Sequence, residues 1–153
     1  MSYTPDENKP VASDELLWET VTQTAEQLPN SELSMFSMRW DVFTVRGKWF
    51  VISGVSDQRI VNLKVDPEDI EFLCSHYPSI TPGFHMNKKH WISVRPGDDV
   101  TVGMVRELVK QSYGLVVASL PKSERPVDPK RFFAENFPLA CSFPSEEDVS
   151  RKV

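Results

Sequence analysis

A chain of 153 residues, 40% hydrophobic and 25% charged, falls in the range of one globular domain and outside those of collagenous, wholly disordered or membrane-embedded proteins. Its 17 basic and 22 acidic residues give a formal charge of −5, which excludes a uniformly basic nucleic-acid wrapper but leaves room for a local basic patch. The acidity is uneven: residues 1–33 carry one lysine against seven acids, whereas residues 34–120 carry ten basic and nine acidic residues and residues 121–153 six of each.

Met1 to Val11 is polar, with Asp6 and Glu7 where a secretory leader would be positive, and no apolar run approaches the roughly 18 residues of a membrane span. A cytoplasmic protein without membrane association is expected. Cys74 and Cys141 form neither the dense even set of a disulfide scaffold nor the paired ligands of a structural zinc site, so two reduced, mostly buried thiols are expected.

In chain order, Ser13 caps a helix with Asp14 and Glu15 in its first turn and Leu17, Val21, Ala25 and Leu28 as its apolar stripe, ending near Pro29-Asn30. The period then changes to two over Met35–Val45, Lys48–Ser53 and Gln58–Val65, three successive antiparallel strands joined at Arg46-Gly47 and at residues 54–57. Asp66-Pro67-Glu68-Asp69 starts a second, short helix carrying Ile70, Leu73 and Cys74. Phe84–Met86 and Lys89–Arg95 read as a second hairpin with Asn87-Lys88 at its tip. Thr101 caps a last helix whose buried side is marked by Val105, Leu108, Val109, Ser112 and Val116 and which Pro121 ends. The pattern predicts a two-layer α+β domain, a mainly antiparallel five-stranded sheet with three helices in the order α-β(3)-α-β(2)-α. Residues 1–10 are a flexible N-terminus, 11–120 the domain, and 121–153 a tail rich in proline and phenylalanine that partly docks.

Phosphate-cradling glycine loops are absent, as are GxSxG and HExxH, so common nucleotide and hydrolase templates find no footing. His76, His85 and His90 fall within 15 residues, yet the odd interval between the last two speaks against metal binding and for hydrogen-bonded structural histidines. Cys74 and His76, two apart near a helix end, do not face each other as nucleophile and base. No catalytic residue, metal or cofactor is expected.

The hairpin tips are more informative. Arg46 and Lys48 flank Gly47 at one, Lys88 and Lys89 follow Asn87 at the other, and such a pair of positive ends can track phosphates while Asn87 offers an amide to a base edge. Solvated tips of no further use are the plain alternative. Strand parity places Trp49, Val51, Asn62, Lys64, Lys89, Trp91, Ser93 and Arg95 on one sheet face and Phe43, Val45, Phe50, Ile52, Val61, Leu63, Ile92 and Val94 on the core face. Tryptophan mixed with cations suits base stacking or an extended peptide, with Trp49, Trp91, Lys64 and Arg95 as candidates. A phenylalanine-rich tail folded over Trp49 and Trp91 is the competing arrangement.

The stretches Val45-Arg46-Gly47-Lys48-Trp49-Phe50, Pro82-Gly83-Phe84-His85-Met86-Asn87-Lys88-Lys89-His90-Trp91 and Ser112-Tyr113-Gly114-Leu115-Val116 resemble the MmcQ/YjbR family over about residues 13–120. The resemblance implies a small bacterial cytoplasmic domain of secretion-chaperone-like fold, with a DNA-binding, double-wing description attached to the family. Leu33-Ser34-Met35-Phe36 departs from the glycine-containing run expected before the first strand, and the tail beyond Pro121 lies outside the likeness. The expected function is a non-catalytic binding module meeting DNA or another nucleic acid through Arg46, Lys48, Asn87, Lys88 and Lys89. The alternative is a protein- or peptide-binding adaptor using the Trp49/Trp91 face.

Overall fold

Helix α1 (Asp14–Glu26) starts where Ser13 predicts: the Ser13 hydroxyl accepts from the Leu16 N–H, and Leu17, Val21 and Ala25 are buried along one side. The structure, a computed structural model, describes residues 6–37, 39–84 and 86–137. His85, Cys141 and Phe143 lie outside the described residues, as do positions 1–5 of the expected flexible N-terminus.

Among the described residues six strands, not five, form one sheet: β1 (Ser31–Ser37), β2 (Trp40–Val45), β3 (Lys48–Val55), β4 (Arg59–Lys64), β5 (Ile80–Pro82) and β6 (Trp91–Val94), antiparallel in the order β1-β2-β3-β4-β6-β5. The extra strand arises because the stretch read as one strand is a hairpin. β1 ends at Ser37 and β2 begins at Trp40, across a Met-Arg pair that carries none of the usual turn residues. The Arg46-Gly47 turn is as expected, with φ of 52° and 81°, the left-handed pair that a two-residue hairpin requires. The second hairpin is not. Phe84 and Met86 belong to no strand; they lie between β5 and β6.

Among the described residues four helices, rather than three, accompany the sheet. Asp66 accepts from the Glu68 N–H and starts a 3-10 turn (Pro67–Asp69) that runs into α2 (Ile70–His76), and Thr101 caps α3 (Val102–Ser119) through the Met104 N–H. In the tail Asp128 accepts from the Lys130 N–H and Pro129 opens α4 (Pro129–Asn136), the same Asp-Pro start as at residue 66. Phe133 of α4 lies on Gly114 of α3, where an added Cβ would come within 2.7 Å of its ring, and Phe132 meets Tyr113 at 5.2 Å between ring centroids. The described part of the tail therefore docks on α3, through Phe132 on Tyr113 and Phe133 on Gly114.

Helices α1 and α3 pack on one face of the sheet and on each other, enclosing Phe43, Phe50, Val51, Val61, Leu63, Ile92 and Tyr113. The Tyr113 hydroxyl donates to the Pro29 carbonyl at 2.8 Å, and burial pushes its pKa up to about 12. One correction to the parity follows from the register. Phe43 pairs with Val51 and Thr44 with Trp49, so Phe50 is an extra residue, a bulge. Phe50 and Val51 both go to the core, and Ile52 joins Asn62 and Ser93 on the outer face.

The bulge coincides with a parting of β3 from β4, whose pairing runs from Val55↔Arg59 to Val51↔Leu63. Beyond that point the Ser112 hydroxyl of α3 stands between them, accepting from the Lys64 N–H at 2.9 Å and donating to the Phe50 carbonyl at 2.6 Å. A helix side chain thus replaces one rung of the ladder. Ser112→Ala strands two backbone groups in a buried place and is expected to lower unfolding free energy by about 2–4 kcal/mol in urea titration. A loss below about 0.5 kcal/mol would contradict the bridging role.

Candidate functional site

The parting of β3 and β4 opens a cleft of about 560 Å³. Gly47, Lys48 and Trp49 form one bank, Lys64 and Trp91 the other, and Val116 and Ser119 of α3 lie between them. Antiparallel pairing explains the gathering: the start of β3, the end of β4 and the start of β6 all lie at one end of the sheet, with Lys64 directly opposite Trp91. Residues 48, 64 and 91, distant in the chain, are brought together by topology.

Lys48 is exposed, Lys64 half-buried, and both indoles half-buried. Lys64 is held below the usual lysine range, first by burial and then by the neighbouring Lys48 charge. Two like charges side by side in a partly desolvated cleft are electrostatically uncompensated by each other, the condition that an anionic ligand relieves.

The other expected residues divide. The Arg46-Gly47 turn and the Lys88-Lys89 turn emerge at the same end of the sheet, on either side of Lys64, because Val65 N–H donates to the His90 carbonyl beside them. Arg46 Nε donates to the Glu124 carbonyl at 3.1 Å, which ties this turn to the tail, and Lys88 Nζ donates to the Gly83 carbonyl at 3.2 Å within its own loop. Asn87 Oδ1 accepts from the Lys89 N–H, so its amide oxygen shapes the turn. Lys89 is exposed on the rim. Arg95 shares the face but not the cleft: it sits past the opposite end of β6 and donates to Thr81 Oγ1 at 2.6 Å. Acids are present at this end too, since exposed Glu68 and Asp69 follow the last residues of β4.

The two described histidines, His76 and His90, belong to no cluster of metal ligands. His76 is exposed on α2, its Nδ1 2.9 Å from the Phe72 carbonyl and its ring stacked on Phe72 at 4.0 Å. His90 Nδ1 is buried without a hydrogen-bond partner. Among the described residues no three His, Cys, Asp or Glu side chains gather as metal ligands. Cys74 is unpaired and half-buried, and burial pushes its thiol up rather than toward a reactive thiolate. By a hollow of about 580 Å³ at Met35, Trp40 and Arg59, the arginine makes contacts within the protein: it lies 3.9 Å from Asp41 with its guanidinium 4.5 Å above the Trp18 ring. No helix among the described residues is long and apolar enough to cross a membrane.

Sequence parity pointed to Trp49, Lys64 and Trp91 but missed the parts contributed by Val116 and Ser119. Their signal, a serine inside the apolar stripe of α3 at Ser112, marks where that helix meets the gap, not which residues line it.

A protein-family model described as YjbR matches residues 26–115, a span that includes both tryptophans and both lysines of the cleft. Among relatives, the uncharacterised protein YbdF of Escherichia coli O157:H7 is 42% identical over 111 residues, 71% of this chain and 91% of its own length. The uncharacterised protein YjbR of Escherichia coli K12 is 31% identical over 75 residues, 49% of this chain and 64% of its own. The crystal structure of Deinococcus radiodurans protein DR2400, a DUF419 domain, superposes with a TM-score of 0.64 at 26% identity, covering 91% of this chain and 97% of that one. A protein from Pseudomonas syringae, at 23% identity and a TM-score of 0.53 over 61% of this chain and 93% of its own, shares the fold. On the family-model match and the likeness to YbdF, this chain belongs to the YjbR family.

Proposed function

We propose that this protein is a non-catalytic nucleic-acid-binding module that holds a single strand in the cleft between the parted ends of β3 and β4. The observation that carries the reading is the meeting of Lys48 and Lys64 with Trp49 and Trp91 in one cleft. Ammonium groups beside indoles are the two components of single-strand recognition, cations for the phosphates and π-faces for the bases. A duplex suits the cleft less well, because its bases are already stacked on one another. Lys88 and Lys89 extend the positive rim and Arg46 braces the turn that carries Lys48. Glu68 and Asp69 limit the field, so binding is expected to be moderate and strongly salt-dependent.

A second reading, a peptide- or protein-binding adaptor, is favoured by another observation. β1 is an edge strand, and Leu33, Met35 and Phe36 on it are 52%, 70% and 61% exposed. Such an edge can take up an extended segment through its backbone. Affinity from that edge would rise or hold with salt, whereas affinity from the cleft falls.

Fluorescence anisotropy with a labelled single strand at several salt concentrations separates these. Replacing Lys48 and Lys64 together by alanine is expected to reduce the slope of log K against log salt by roughly 1.4, two single-strand phosphate contacts. Trp49→Ala is expected to weaken binding by about 1–3 kcal/mol at every salt concentration, leaving the slope unchanged. An unaltered slope in the double variant would overturn the proposed site.

The same site has a stability cost whose sign can be worked out. Lys64 has a lower pKa folded than unfolded, so its charge opposes folding at neutral pH. As pH rises through the folded value toward 10.5, the native state sheds its proton first and that opposition is relieved. Lys64→Met is therefore expected to raise the melting temperature at pH 7 and to raise it less at pH 10, while weakening strand binding. A lower melting temperature at pH 7 would contradict this assignment.

A further inference from the structure

Beside the cleft, the outer face of the sheet holds a smaller recess of about 160 Å³. Ile52 and Asn62, directly opposite each other on β3 and β4, form its floor. Phe36, Trp40 and Trp49 contribute its sides, Phe36 edge-on to Trp49 at 4.8 Å between ring centroids, and Phe84 and Met86 line it from between β5 and β6. An apolar cavity of about 150 Å³ takes up benzene, whereas pockets for drug-sized ligands begin near 300 Å³, so this recess has room for one aromatic ring. Trp49 is common to the recess and the lysine cleft.

The floor carries a polar group that the protein leaves unanswered. Asn62 is fully buried in the middle of an apolar strand. The Phe84 N–H donates to Ser93 Oγ at 2.7 Å, and the Ser93 hydroxyl, having accepted that bond, gives its own proton to Asn62 Oδ1. This relay fixes the amide and leaves Asn62 Nδ2 without a hydrogen-bond partner. Both of its N–H groups lack an acceptor, an arrangement that is costly and uncommon in folded proteins. The complementary ligand is a single flat ring with a carbonyl oxygen at its edge.

We propose that the recess receives one pyrimidine base of the strand whose phosphates lie on Lys48 and Lys64, with a ring carbonyl of the base accepting from Asn62 Nδ2. The proposal rests on the nucleic-acid reading of the cleft. Adjacency across Trp49 lets one nucleotide use both places, its phosphate at the lysines and its base against the indole. A purine is larger by a fused ring, and adenine has no carbonyl to offer the amide.

Anisotropy titrations of the full chain with equal lengths of oligothymidine, oligoadenosine and an abasic deoxyribose-phosphate strand, all at one low salt concentration, test it. The wild-type protein is expected to bind oligothymidine about tenfold more tightly than the other two, within the range that one stacked base contributes. Asn62→Leu, which removes the donor while keeping the bulk, is expected to bring oligothymidine down to the affinity of oligoadenosine and leave the abasic strand unchanged. Phe84→Ala, a change at a more exposed wall, is expected to act in the same direction and covers the case in which the Asn62 variant fails to fold. Equal wild-type affinity for all three strands would overturn the base pocket while leaving the phosphate-binding cleft standing. Absence of binding to every strand would overturn both.

Discussion

The Ser112 hydroxyl, placed between the Phe50 carbonyl and the Lys64 N–H, is the contact on which the arrangement of the candidate site depends. It spans the place where the pairing of β3 and β4 stops, past Val51 and Leu63, between the bank carrying Lys48 and Trp49 and the bank carrying Lys64 and Trp91. Parting two strands exposes ladder groups that must be satisfied elsewhere, and a single hydroxyl, both donor and acceptor, answers one group on each strand. The Phe50 bulge belongs to the same adjustment: it bends β3 where the ladder stops and sends a second aromatic ring to the core, against Tyr113 at 5.3 Å.

Local chemistry made most of the elements legible. Ser13 and Thr101 cap the helices that they precede, Arg46-Gly47 turns the chain as a two-residue hairpin, and Asp66-Pro67 starts a helical turn. What escaped was whatever lacked a local signal. Nothing between Ser37 and Trp40 announces a reversal, so two strands read as one. Phe50 and Val51 are both apolar, so a period-two pattern absorbs the bulge without a visible fault and misplaces Val51 and Ile52. The Asp128-Pro129 start of α4 had the same form as Asp66-Pro67, yet the prolines of the tail masked it.

The candidate site was legible in part for a related reason. Parity grouped Trp49, Lys64, Trp91 and Arg95 correctly by face, but a face is longer than a site, and Arg95 lies toward the other end of β6 on Thr81. The loop tips carried the expected cations, yet backbone carbonyls engage Arg46 and Lys88, which no pattern of residues foretells. Strand parity turns Asn62 outward but does not announce its burial. It is fully buried beside Phe84 and Met86, in the Phe84–Ser93–Asn62 chain of hydrogen bonds. Lys64 shows the expected tension between stability and binding, since the half-buried charge that weakens the fold is the one offered to an anion.

The most direct test is to map where a single strand touches the protein. Ultraviolet cross-linking to a strand containing 4-thiothymidine, followed by mass spectrometry of the digested complex, should place the adducts on peptides holding Trp49 and Trp91. Adducts confined to β1 or to the helical face, with both tryptophan peptides unmodified, would contradict the account.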